Sequence, residues 1–370
     1  LHPVRIEAAE LWPFRLRLRT PLATAMGPLV SREGVLLSLR NADGCIGYGE
    51  ATPLPAFGTE TLDAARRSLE ACAASIEGAD LGEPEELLGW IDRRCPPSST
   101  ARAAIDCALQ DLVAREAGQS MASWLAAKQG GSARPTVMVS ALLVSGSPVA
   151  LASEAQRAVE AGFRTLKLKV GVGPLSGDLE RLAAVRGAVG LATAIRVDAN
   201  GAWSPDQARD RLEVLAPFDL EFVEQPVAAG AVAGQARVRR DATVPAAADE
   251  SACSEAELRA VLDAEAADLV ILKPSAVGGI SRARAAAGLA RAAGVEAVPT
   301  SFLDGAVAVL AALHLASSLP GPLPACGLAT SALLENDLAP PPVPVDGRLR
   351  VPPEPGLGLR PWSKRRGHAA

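Results

Sequence analysis

Between Thr165 and Gly279 short apolar runs alternate with helix-like stretches, and each run closes on a charged residue. TLKLKVGVG (165–173) carries Lys167 and Lys169, and IRVDANGAW (195–203) carries Asp198. LEFVEQP (220–226) ends near Glu224, PAAADES (245–251) holds Asp249 and Glu250, and DLVILKPSAVGG (268–279) holds Lys273. From Lys169 the charges step by 29, 26, 25 and 24 residues, the length of one strand, one helix and their loops. TVMVSALL (136–143) before this stretch, and VEAVPTS (295–301) and PACGLAT (324–330) after it, extend the series to eight strands. Continuous apolar runs mark strands buried on both faces. Eight of them alternating with helices predict an α/β fold, a (β/α) TIM-type barrel whose active site lies at the C-terminal strand ends, where the charges recur.

The first 130 residues have another texture. Arg15, Arg17 and Arg19 interleave with Leu16 and Leu18 as in a strand. Thr20 to Glu33, with Pro21, Gly27 and Pro28, reads as a loop-like insert. GVLLSLR (34–40) and CIGYGE (45–50) flank Asn41–Gly44, a hairpin turn signal. ATPLPAFG (51–58) is a second loop, and ARAAIDCALQDLVAREAG (101–118) has helical spacing with a terminal glycine. The expected organisation is an α+β capping domain over 1–130, a barrel catalytic domain over 131–338, and a Pro-rich segment, 339–370, that returns to the cap. Ser204-Pro205 and the pair Ser254 and Glu257 mark helix starts, the second as a capping box.

Composition narrows the chemistry. The chain has 370 residues, 49% of them hydrophobic, with a net charge of −5. That balance argues against a nucleic-acid or anionic-membrane partner. Arg239-Arg240 and Lys364-Arg365-Arg366 are too short to change it. No signal peptide is read at the N-terminus, and the most apolar helical run, 305–319, is shorter than the roughly 20 residues of a membrane span. Six scattered cysteines (Cys45, Cys72, Cys95, Cys107, Cys253 and Cys326) point to core thiols in a reducing, cytoplasmic compartment. His2 and His368 are terminal and His314 sits in the apolar helix, so acid–base work falls to Lys, Asp or Glu.

Asp198, Glu224 and Asp249 end three successive strands and converge at the barrel mouth. Three carboxylates repel one another unless a cation offsets them, and oxygen donors without His or Cys favour Mg2+, with Mn2+ as the alternate. Strand alternation turns Glu250 and Glu221 away from that point, and Asn200 is placed to support it. Lys167 and Lys169, two apart, both face inward, where mutual repulsion and burial are expected to lower their pKa values. Lys273 approaches from the opposite side. A cation flanked by lysines suits removal of a proton beside a substrate carboxylate, with the metal stabilising the enediolate.

The order KxK, Asp, Glu, Asp, Lys, with the strings VDANGAW, VEQP and ADES behind an α+β cap, resembles the muconate-lactonizing subgroup of the enolase superfamily. The resemblance covers nearly the whole chain. It implies an enolase-like fold in which Asp198, Glu224 and Asp249 bind Mg2+, Lys169 is the general acid/base, Lys273 is the opposing lysine and Lys167 assists Lys169. It implies, too, that loops 20–33 and 51–58 close over a small-molecule carboxylate, with Arg32 and Phe57 as candidate contacts. REGVLLSL, GYGEATPLPAFGTETL and PACGLATSALLENDLA resemble o-succinylbenzoate synthases of menaquinone biosynthesis, lyases that carry out Mg-dependent syn-dehydration of 2-succinyl-6-hydroxy-2,4-cyclohexadiene-1-carboxylate. The alternatives are an N-acylamino-acid racemase or a muconate cycloisomerase. Two departures matter: Asp304 stands where many relatives carry Glu, and GLAT lacks the DxD with which dipeptide epimerases hold an ammonium. Oligomeric state is open, a homo-oligomer being compatible with the sequence.

Overall fold

A computed structural model of the chain describes residues 4–24, 27–78, 80–81, 88–89, 91–93 and 96–360. His2, Cys95, His368 and the run Lys364-Arg365-Arg366 lie outside them. The first layer is an antiparallel sheet in the order β3-β2-β1-β4, built from β1 (Val4–Thr24), β2 (Gly27–Asn41), β3 (Ile46–Ala51) and β4 (Asp80–Leu81). Helices α1 (Leu62–Ile76) and α2 (Ser99–Glu116) pack against it, and α3 (Met121–Ala127) packs against α2. Gly47 and Gly49 share one face of β3, and a Cβ on either would lie 2.0 Å from Ala108 O or 1.8 Å from Ala104 O of α2. The GYG spacing therefore lets the helix backbone lie directly on the strand.

The insert expected over 20–33 is instead a continuation of the β1–β2 hairpin: Leu22 pairs with Leu29 and Thr24 with Gly27. The register shifts between Arg17 and Leu22, so Pro21 falls where the ladder is already interrupted, as proline in a sheet requires. Residues 25–26 are outside the described residues.

The second layer begins with β5 (Thr136–Met138) and β6 (Ala141–Leu143). The strand expected over 136–143 is thus two. β5 pairs antiparallel with β13 (Arg348–Arg350), which takes its edge and leaves only β6 for the parallel sheet. That sheet continues through α4 (Pro148–Glu160), β7 (Thr165–Lys169), α5 (Leu175–Val189), β8 (Ala194–Asp198), α6 (Pro205–Leu215), β9 (Leu220–Glu224), α7 (Val232–Asp241) and β10 (Ala246–Ala248). It ends with α8 (Glu255–Asp263), β11 (Leu269–Leu272), α9 (Pro274–Val277), α10 (Ile280–Ala292), β12 (Glu296–Pro299) and α11 (Ala306–Ser318). The seven parallel strands stand in chain order, β6 to β12.

PACGLAT is not a ladder strand. It joins the seam by single bridges, Val139 to Cys326 and Thr300 to Gly327. Pro324 has no N–H to give, and a Cβ on Gly327 would meet the Thr300 side chain at 2.7 Å. Cys326 N–H donates to Met138 O and Ser301 N–H to Gly327 O, which closes the ring between β12 and the first strand position.

Buried apolar residues fill the layer between strands and helices. The barrel interior holds Phe222, Ala247, Leu269, Ile271 and Val298, with Arg196 stacked 4.6 Å over Phe222 and paired with Glu221 at 2.7 Å. After β13 the chain reaches the first layer, where Leu357 N–H donates to Asp111 and Met121 N–H to Gly356 O.

Local signals hold in detail. Ser204 and Gln207 form a full capping box under Pro205. Ser254 accepts the Glu257 N–H, but the Glu257 carboxylate takes the Ser254 hydroxyl rather than the cap's backbone, so that box is half formed. His314 is fully buried in α11 and accepts the Ala122 N–H at 3.1 Å. Cys45, Cys107, Cys253 and Cys326 are free, whereas Cys72 is disulfide-bonded, against the expectation of thiols throughout. Among the described residues no helix is long and apolar enough to cross a membrane.

Candidate active site

The strand ends gather the charges at one mouth. Lys167 and Lys169 project from β7, Asp198 closes β8, Glu224 closes β9, and Asp249 and Lys273 directly follow β10 and β11. Alternation aims residues two apart in the same direction, so both lysines of β7 reach Asp198 on the next strand. Lys167 Nζ lies 2.8 Å from Asp198 and 2.5 Å from Glu224. Lys169 Nζ lies 2.7 Å from Asp198 and also donates to Asn200 Oδ1. Lys273 Nζ pairs with Asp249. Lys169 is the most open of the three, its side chain 31% exposed against 15% for Lys167 and 10% for Lys273.

These pairings reverse the expected effect on the lysines. Burial opposes the charge of Lys167, but Asp198, Glu224 and Asp249 outweigh it and push the ammonium above the ordinary lysine range. Burial likewise opposes the charge of Lys273, and Asp249, Glu224 and Glu250 overcome it. Repulsion between ammonium groups is the weaker effect because each has a carboxylate in direct contact. The carboxylates divide. Asp198, buried but held by Lys167 and Lys169, lies well below the usual carboxylate range. Burial and the charge of Asp198 push Glu224 up to about 7, and burial, with Glu250 nearby, pushes Asp249 up to about 6.

Glu250 does not turn away. The strand ends at Ala248, Asp249 has φ −121° and ψ −84°, and a 3-10 turn over 250–252 follows. Alternation therefore no longer applies, and Glu250 accepts from Asn200 Nδ2 at 2.9 Å. A chain Lys169–Asn200–Glu250 results, with Asn200 further fixed by its N–H to Asp198 Oδ1 at 2.9 Å.

Cap and barrel loops roof the mouth. Phe57, on the 3-10 turn Pro55–Phe57, sits against Phe302 edge-to-face at 4.7 Å. Arg32 makes no contact toward the carboxylates. It is 2% exposed, and its guanidinium donates to Thr52 O, Pro53 O and Leu303 O, tying the hairpin to the 51–58 loop and the loop after β12. Glu50 accepts from Gly305 N–H and Ala308 N–H at the start of α11, a second cap-to-barrel tie. Asp304 accepts from Phe302 N–H and Ser275 and bonds to no lysine. No acid stands between Gly327 and Thr330 at the eighth strand position. Arg32, which opens REGVLLSL, staples the seam, while Glu50, which closes GYGE, and Phe302 carry no local signal of their roles.

A capped parallel-strand barrel with lysines and carboxylates gathered at successive strand ends is the architecture of an enzyme. Residues 8–125 match the mandelate racemase / muconate lactonizing enzyme N-terminal domain, and 150–364 match the enolase C-terminal domain-like family. The chain belongs to this family, within the enolase superfamily. It is 30% identical to muconate cycloisomerase 1-2 of Acinetobacter lwoffii, over 98% of this chain and 94% of that one. It is 29% identical to N-succinyl-L-Arg/Lys racemase of Bacillus cereus, over 85% of each. A crystal structure of the dipeptide epimerase from Enterococcus faecalis, complexed with Mg and the dipeptide L-Leu-L-Tyr, superposes with a TM-score of 0.89 at 27% identity, covering 96% of this chain and 99% of that one. These relatives are a cycloisomerase, a racemase and an epimerase, and they lend no support to the finer expectation of o-succinylbenzoate synthesis or a menaquinone pathway.

The donor set fits a hard divalent cation. Asp198, Glu224 and Asp249 are 1–2% exposed, offer only oxygen, and two of them are pushed toward neutrality by burial and neighbouring carboxylates. Among the described residues no three such groups enclose a common point as they stand. The Lys167 ammonium bridges Asp198 and Glu224 and acts as their counter-ion.

Proposed function

We propose that the chain is a Mg2+-dependent isomerase that racemises an N-acylated amino acid by proton transfer at the carbon beside its carboxylate. One observation carries the reading: Lys169 ends β7 and Lys273 directly follows β11, four positions apart in a ring of eight, which sets them on opposite sides of Asp198, Glu224 and Asp249. Two opposed bases are what inversion at one carbon needs. Lys169 takes the proton from one face, and Lys273, held charged by Asp249, returns one to the other. Asp198, Glu224 and Asp249 would hold the cation, which when bound neutralises the substrate carboxylate and acidifies the adjacent C–H. The neutral stretch Gly327–Thr330 supports a substrate whose amino group carries no charge, and the name of the Bacillus cereus relative supports an acylated one.

A second reading is dehydration to o-succinylbenzoate by Lys169 alone. The aromatic faces of Phe57 and Phe302 around Lys273 favour it, because they suit a spectator cation rather than a proton carrier. Solvent-deuterium exchange decides between the two. With Mg2+ and N-succinyl amino acids in deuterated water, both enantiomers exchange at the α carbon; Lys169→Ala abolishes exchange from one and Lys273→Ala from the other. No exchange with any N-acylated amino acid, together with consumption of the cyclohexadiene carboxylate, would replace the first reading by the second.

A further inference from the structure

Gln225 follows Glu224 directly and is fully buried, in a left-handed conformation with φ 38° that a side chain of its size rarely takes. Such a conformation persists only where surrounding contacts over-determine it. Here they do. Its side-chain Oε1 accepts from Asp249 N–H at 2.8 Å, Ser251 N–H at 3.2 Å and Ser251 Oγ at 3.0 Å. Its Nε2 donates to Val227 O at 2.8 Å and to Gln235 Oε1 at 3.1 Å. Its backbone N–H donates to Ala247 O, and its carbonyl accepts from Gly201 N–H at 2.7 Å.

Three loops meet at this residue, and each carries one carboxylate: 198–203 with Asp198, 224–227 with Glu224 and 249–251 with Asp249. The side chain takes two backbone N–H groups of the 249–251 turn and gives to the Val227 carbonyl of its own loop, and the residue's own carbonyl takes the Gly201 N–H, so the main chain from which each carboxylate hangs is held. Gln235, from α7, backs the amide from behind and also accepts from Ser251 Oγ at 3.3 Å. A glutamine suits the position because it offers an acceptor to the 249–251 turn and a donor to its own loop at once, which neither Glu nor Met can do. It adds no charge beside Glu224.

The geometry points to Gln225 as a positioning residue of the cation site: its side chain sets the spacing of Glu224 and Asp249, while its backbone carbonyl holds the loop that carries Asp198. This rests on the reading that those three hold a divalent cation. Groups that orient metal-binding side chains cost about 10–100-fold in metal affinity when removed.

The test is Mn2+ binding to the metal-stripped protein, read from the electron paramagnetic resonance signal of free Mn2+, with thermal unfolding of the stripped protein as the check on folding. Gln225→Met, close in volume but without donor or acceptor, is expected to weaken Mn2+ by about 10–100-fold. Ser251→Ala and Gln235→Leu, which each remove part of the network, are expected to weaken it less. Arg134→Met serves as the control. Its guanidinium holds the carbonyls of Ala316 and Leu319 at the far end of α11, so its loss lowers stability and leaves Mn2+ affinity unchanged. Asp198→Asn and Glu224→Gln test the underlying reading: if both bind Mn2+ as the wild type does, the carboxylates are not the site. If they lose Mn2+ while Gln225→Met keeps it, only the role of Gln225 is overturned. Where Gln225→Met does not fold, unchanged affinity in both Ser251→Ala and Gln235→Leu overturns it equally.

Discussion

The ammonium of Lys273 lies 4.0 Å from the centroid of the Phe57 ring, so a residue of the cap covers a charged residue of the barrel. Phe302 supports the same ammonium from 5.8 Å. A desolvated cation over an aromatic face gains about 2 kcal/mol. Phe57→Leu keeps apolar cover but loses the face, and a fall in kcat/KM of roughly tenfold is expected in steady-state assays with N-succinyl amino acids. An unchanged kcat/KM would show that Phe57 is only a lid.

Arg32 is held by three backbone carbonyls on two segments, the 51–58 loop and the loop after β12. Arg32→Met leaves those carbonyls without donors in a buried seam, at about 1–3 kcal/mol for each lost partner. Limited proteolysis is expected to cut the 51–58 loop faster in this variant, with KM rising more than kcat falls. Equal proteolysis rates would contradict the stapling role.

Two glycine substitutions should have opposite signs. Gly49→Ala places its Cβ 1.8 Å from Ala104 O, a clash with backbone that cannot swing aside. Its cost in denaturant unfolding is expected at or beyond the ~3 kcal/mol end of overpacking. Gly187 lies exposed within α5 with nothing within 4 Å of an added Cβ, so Gly187→Ala should stabilise by about 0.5–1 kcal/mol.

His314 is pushed down from 6.5 to about 4 by burial. The unfolded chain therefore binds a proton that the folded chain refuses across that interval. Stability contributed by the neutral ring is full above pH 6.5 and is lost as pH falls toward 4, by about 3 kcal/mol at the lower end. Other groups titrate in the same range, so the difference between wild type and His314→Gln is the quantity to measure. Urea unfolding at pH 7, 6 and 5 should show a steeper decline in the wild type; parallel declines would mean that the ring is protonated in the native state.

Removal of divalent cations bears on the site directly. Treatment with EDTA is expected to abolish deuterium exchange at the substrate α carbon, and Mg2+ to restore it, with Mn2+ as a substitute. Exchange that survives EDTA would remove the cation from the reaction.

The parts of the site legible in the sequence were those where a charge ends an apolar run. Lys169, Asp198, Glu224, Asp249 and Lys273 stand out because nothing apolar in a buried strand explains a charge at its end. Glu250 was misjudged because the strand stops at Ala248, and alternation carries no information past that point. The hairpin through 20–33 was hidden by its prolines and glycine, which read as a break until the bulge near Pro21 is known. Arg32 and Glu50 left little trace, since a buried charge satisfied by backbone groups far along the chain has no local pattern. Gln225 was visible only as a polar letter after Glu224; its importance lies in partners 24 and 26 residues away.

The seam at residues 326–327 has a consequence for how such a protein changes its substrate. The reacting groups hang from β7 to β11, where every strand is laddered on both sides, so a substitution there disturbs neighbours in both directions. The stretch Gly327–Thr330 borders the same mouth but is fastened by single bridges. Side chains can be exchanged on it without reshaping the ladder that holds the lysines and carboxylates. Inheritance of the chemistry and drift in what it is applied to are thereby assigned to different stretches of backbone, and an acid appearing at the half-buried Thr330 would be tolerated long before one at the fully buried Val197 or Val223.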